Sequence, residues 1–73
     1  MQPKYFVYST TNKERLIFAG SDLFEALAKG FAFCKMPLEP ETFKTVMDHF
    51  KNKKTDELHF SGNGQAIKLV MER

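Results

Sequence analysis

Glu57-Leu58-His59-Phe60-Ser61-Gly62-Asn63-Gly64-Gln65-Ala66-Ile67-Lys68-Leu69-Val70-Met71-Glu72 is the run that decides the fold of this chain. Asn-Gly is the favoured pair for a two-residue hairpin turn, because both central residues need positive φ. A turn at Gly62-Asn63-Gly64-Gln65 sets Ser61 against Ala66, Phe60 against Ile67, His59 against Lys68, Leu58 against Leu69 and Glu57 against Val70. Side chains alternate across a strand, so Leu58, Phe60, Ile67, Leu69 and Met71 share one face. Glu57, His59, Ser61, Ala66, Lys68, Val70 and Glu72 share the other. Turn chemistry and hydrophobic pattern agree independently, and the first face demands an apolar cover.

Two helices ahead of the hairpin supply that cover. Ser21 is a good N-cap and Asp22 suits the positive end of a helix dipole, which predicts a helix from about Asp22 to Lys35. Leu23, Leu27, Phe31 and Cys34 form its inward ladder, with Phe24 and Ala28 beside it. Gly30 within this stripe costs about 1 kcal/mol relative to alanine, and its placement suggests a close approach of helix to sheet. Phe33 falls on the opposite side, near Ala26, where the intrachain core does not claim it. Pro37 and Pro40 bracket a break, since proline disfavours a helical residue before it. The second helix opens with Pro40 in its first turn and runs to about Asn52. Phe43, Val46, Met47 and Phe50 make its apolar stripe. Lys51, Lys53 and Lys54 gather at its negative end.

The N-terminal segment reads as another hairpin: a strand over Lys4 to Ser9, a polar turn over Thr10 to Glu14, and a strand over Arg15 to Ala19 closed by Gly20. This hairpin has no polar face. Tyr5 and Val7 alternate with Phe6 and Tyr8, and Leu16 and Phe18 alternate with Ile17 and Ala19. Apolar groups on both sides imply strands covered on both sides. The expected architecture is one α+β domain over residues 1–73 with element order ββααββ, a four-stranded antiparallel sheet with two helices packed on one face. Strand order does not follow from these patterns.

Composition narrows the function classes. A chain of 73 residues buries only about 60% of its unfolded surface, so association is a natural source of added stability. Cys34 is the only cysteine, which excludes an internal disulfide. Cys34, His49 and His59 lack metal-ligand spacing, and no cofactor or metal is implied. Eleven basic and nine acidic residues leave a net charge of +2, too near balance for a dedicated polyanion binder. No signal-like or membrane-length apolar run is present, and a lone cysteine fits a reducing cytoplasm.

Candidate chemistry is sparse. Asp48 and His49 are neighbours on a helix and point about 100° apart, so adjacency alone does not make them converge. Cys34 lies on the inward stripe, where desolvation favours the neutral thiol. His59 faces Lys68, a cation that disfavours imidazolium, and has no second ligand nearby in sequence. Gly62 and Gly64 belong to the hairpin turn and form no phosphate loop. The chain is therefore expected not to be an enzyme.

The stronger expectation is a protein-binding domain that pairs with a second copy of itself, or with another protein, through surface the two helices leave bare. Tyr5, Phe6, Tyr8, Ile17, Phe33, Met36 and Val70 are the candidate interface residues. The candidate patch is Phe6, Tyr8, Ile17 and Ala19, or the opposite phase Tyr5, Val7, Leu16 and Phe18, extended by Val70 and Ala66 if the hairpins adjoin. Phe33 and Met36 form a second candidate patch. The alternative is a single-stranded nucleic-acid binder, with ring stacking on the first hairpin and phosphate contacts from Lys4, Arg15, Lys51, Lys53 and Lys54.

Overall fold

The computed structural model describes residues 2–52 and 56–72. Along the chain it has β1 (Lys4–Ser9), β2 (Arg15–Gly20), α1 (Leu23–Phe33), α2 (Pro40–Lys51), β3 (Glu57–Gly62) and β4 (Gln65–Glu72). The four strands form one antiparallel sheet in the order β2-β1-β4-β3, so the fold is α+β with ββααββ connectivity. The hairpins adjoin through their inner strands, and β1 meets β4 with Phe6 opposite Val70 and Tyr8 opposite Lys68.

The β3–β4 hairpin forms in the register that its turn dictates, from Gly62 opposite Gln65 to Glu57 opposite Val70. Asn63 and Gly64 take φ of 54° and 79°, the positive values a type I′ turn needs. Ile67, Leu69 and Met71 are buried on the helix side.

The β1–β2 hairpin departs from simple alternation. Val7 pairs with Phe18, but Tyr8 pairs with Leu16, which leaves Ile17 as the extra residue of a bulge. A bulge resets the face on which the following residues lie. Leu16 thus shares the helix-free face with Tyr8, and it is 51% exposed. Ile17 is partly buried and packs against the core.

Helix α1 lies across β1, β2 and β4. Its N-cap is Asp22, one residue beyond the expected Ser21; the Asp22 carboxylate accepts from the Glu25 amide at 3.2 Å. The helix ends at Phe33, with Lys35 in the left-handed region at φ 54°. Ala26, Leu27, Gly30, Phe31 and Cys34 are buried, so Ala26 belongs to the core face and not to the outer side. Gly30 is where the helix comes closest to the sheet. A Cβ there would lie 2.7 Å from Ile67 Cδ1 and 3.2 Å from Val7 Cγ1, closer than interior packing tolerates.

Helix α2 carries Pro40 in its first turn and buries Val46 and Phe50. Phe50 packs on Tyr5 with ring centroids 6.2 Å apart, and Phe43 meets Phe24 of α1 edge-on at 5.5 Å. Both helices therefore sit on one side of the sheet. They leave Phe24 and Met47 at 57% and 45% exposure. Both residues were expected in or beside the inward stripes, but they lie at the surface, Phe24 against Phe43 of α2.

Candidate functional site

The uncovered face of the sheet follows from the pairing. Residues opposite one another in an antiparallel ladder share a face. Ala19, Phe6, Val70 and Glu57 form one cross-strand row, and Leu16, Tyr8, Lys68 and His59 form the next. Lys4 opposite Glu72, and Ala66 opposite Ser61, extend the same face at its two ends. The apolar part is concentrated over β2, β1 and the middle of β4. Phe6 and Tyr8 stack with centroids 6.5 Å apart and an interplanar angle of 23°.

Charges of both signs ring this apolar strip. Lys68 Nζ lies 5.1 Å from the Tyr8 ring centroid and also bonds Glu14 of the β1–β2 loop. The Glu14 carboxylate favours the protonated amine and raises the Lys68 pKa. His59 Nε2 sits 2.8 Å from Glu57 Oε2. Lys68 is thus committed to Tyr8 and Glu14; it lies opposite His59, as the turn register predicts, while the side chain that His59 contacts is the Glu57 carboxylate.

The structure sorts the candidate interface residues. Phe6, Tyr8 and Val70 lie together on the open face. Tyr5 does not; it is 9% exposed on the helix side against Phe50. Ile17 is turned into the core by the bulge, and Leu16 occupies the open-face position in its stead. Phe33 and Met36 are partly buried against the core, with the Met36 sulfur packed over Gly62 so closely that a Cβ there would clash. They are apart from the open face.

The candidate nucleic-acid contacts are not brought together. Lys4 is on the open face, opposite Glu72. Arg15 pairs with Ser9, which is buried on the helix side, so Arg15 belongs to the other face from Tyr8. Lys51 closes α2 on the helix side, and Lys53 and Lys54 lie outside the described residues. Glu14, Glu57 and Glu72 flank the aromatic strip in place of an all-basic border.

Other chemistry-bearing groups stay separate. Cys34 is fully buried and desolvation raises its thiol pKa. Asp48 and His49 line a shallow depression with Thr45 and Asn52. His49 Nε2 is buried there without a hydrogen-bond partner among the described residues. No group of three or more His, Cys, Asp or Glu among the described residues is placed to hold a metal. No helix among them is long and apolar enough to cross a membrane.

Sequence reasoning missed a second use of the Asn63 turn. The Asn63 amide donates to the carbonyls of Cys34 at 2.8 Å and Lys35 at 3.0 Å. These carbonyls follow the last turn of α1 and would otherwise need a cap. The turn that sets the β3–β4 register therefore also pins the end of α1. The positive-φ preference of Asn was visible in sequence; its partners, about thirty residues away along the chain, were not.

Compared with family models, curated proteins and solved structures, the chain matches none.

Proposed function

We propose that this chain is a non-catalytic interaction domain that pairs with a second copy of itself through the helix-free face of its sheet. The observation that carries the reading is the contiguous strip of Phe6, Tyr8, Leu16, Ala19 and Val70, which no element of the described chain covers. A bare apolar face on a small domain usually marks a contact surface. Dyad symmetry lets one patch cover its own copy. The mixed border of Lys4, Lys68, Glu14, Glu57 and Glu72 favours a self-contact, because a border of one sign would repel its symmetry mate.

Size sets the expected strength. Six residues at about 3.3 Å and four strands about 4.8 Å apart present about 400 Å² in projection. That is about half of the ~800 Å² that each partner of a standard interface buries, so the pairing is expected to be weak and is sought from micromolar concentration upward. A nucleic-acid role has less support, because Arg15 and Lys51 lie away from the stacked rings and carboxylates flank them.

The test compares two exposed apolar patches by light scattering. Tyr8→Glu on the open face should abolish the concentration-dependent mass increase with the fold intact. Phe24→Glu, on the helix side, should leave it unchanged. A mass increase that survives Tyr8→Glu and disappears in Phe24→Glu would move the interface to the helices and overturn the proposal.

A further inference from the structure

On the helix side, the β1–β2 loop, the start of β4 and the last turn of α1 border an open-sided cleft of about 530 Å³. Its walls include Ser9, Thr11, Lys13, Arg15, Phe33 and Gln65, and no carboxylate lines it. Lys13 and Arg15 make no ion pair among the described residues. Two unpaired cations thus border a depression of the size that small ligands occupy.

The remaining polar groups are arranged as donors. The Thr11 hydroxyl accepts from the Ala66 amide at 2.8 Å and donates to Gln65 Oε1 at 3.0 Å. With its oxygen held by Thr11, the Gln65 side chain keeps its NH₂ group available. Ser9 is 7% exposed, the one buried polar residue of the described core. It lines the cleft. Two cations without a carboxylate partner, beside side chains that can donate, point to an acceptor supplied from outside. Phe33, partly buried, contributes the apolar wall.

We propose that this cleft binds a small organic anion: one phosphate or carboxylate group borne on an apolar or aromatic body. The anionic oxygens take the Arg15 guanidinium, the Lys13 ammonium, the Gln65 amide and the Ser9 hydroxyl. The body of the ligand lies on Phe33. Arg15 is suited to this role because its planar fork of donors matches both carboxylate and phosphate. The site is on the opposite side of the sheet from the self-association strip, and it holds or fails independently of it.

The experiment is a titration of the ¹⁵N-labelled full chain, followed through its amide resonances. Four probes are used: phenyl phosphate, phenylacetate, inorganic phosphate and neutral benzyl alcohol. Saturable shifts centred on Ser9, Thr11 and Gln65 are expected with at least one of the first two, and their relative affinity tells phosphate from carboxylate. Inorganic phosphate and benzyl alcohol should each bind about tenfold more weakly, since each supplies only half of the recognised chemistry. Lys13→Gln and Arg15→Gln, both on exposed positions, should each weaken the preferred probe by about tenfold with the folded spectrum retained. Tyr8→Glu should bind it unchanged. The proposal is overturned by no saturable shift with either anionic aromatic at about 10 mM. Equal binding of benzyl alcohol or inorganic phosphate, or binding that survives both charge-removing substitutions, overturns it as well.

Discussion

The two hairpins are built from strands of similar length and behave differently. In β3–β4 an Asn-Gly turn fixes both register and face, and every pair from Gly62–Gln65 to Glu57–Val70 follows from it. In β1–β2 a polar loop without a two-residue turn leaves register free. The sheet then absorbs one extra residue at Ile17. The C-terminal hairpin is apolar on one side and mostly polar on the other, where Val70 and Ala66 interrupt the polar residues. The N-terminal one is apolar on both, and the bulge decides which of Leu16 and Ile17 the core receives. Register is therefore local information when turn chemistry is strict, and tertiary information when it is not.

The largest expected effect tests this difference directly. Ile67→Ala removes a fully buried side chain beneath Gly30 and should cost about 2–5 kcal/mol in denaturant unfolding. Leu16→Ala should cost less than about 0.5 kcal/mol in the monomer, although uninterrupted alternation would place Leu16 with Phe18 in the core. Equal losses at the two positions would mean that the bulge does not exist in solution.

A smaller effect isolates the second task of the Asn-Gly turn. Asn63→Gly keeps the positive φ but removes both side-chain bonds to the end of α1. It should destabilise by about 1–2 kcal/mol and speed amide exchange in the last turn of α1 more than in β3. A neutral result would reduce Asn63 to a residue chosen for backbone conformation alone.

The smallest effect is in alkaline pH and compares Cys34 beneath the sheet with Lys68 upon it. Burial raises the Cys34 pKa and Glu14 raises that of Lys68. A group whose folded pKa lies above its unfolded value stabilises fully below the unfolded pKa, and that contribution is lost as pH rises through the folded one. Stability should therefore be level through neutral pH and decline first above the ordinary thiol range, then above the ordinary lysine range. Cys34→Ala should remove the earlier decline, and Glu14→Gln should lessen the later one. A rise in stability with pH over that interval would contradict both assignments.

How much was legible in sequence tracks the reach of each interaction. The Asn63-Gly64 turn, the alternation of Ile67 and Leu69, the Pro40 helix start and the tight approach at Gly30 all rest on neighbours or on simple periodicity. The same patterns gave the α+β class and the order of elements. Strand order, the bulge at Ile17 and the capping of α1 by Asn63 depend on partners far along the chain. So does the outward position of Phe24 and Met47, which share the apolar periodicity of buried Leu27 and Phe50. The open strip was legible as an excess of apolar surface on the first hairpin, but its membership changed: Tyr5 and Ile17 left it and Leu16 entered. The anion cleft left no contiguous signal, because Ser9, Arg15, Phe33 and Gln65 come from four separate elements.

The central claim is that the strip of Phe6, Tyr8, Leu16, Ala19 and Val70 is covered by a second copy of the chain. Sedimentation equilibrium of the native protein across the micromolar range tests it most directly. The account predicts a reversible monomer–dimer equilibrium that Tyr8→Glu shifts fully to monomer. A native chain that remains strictly monomeric throughout that range would contradict it.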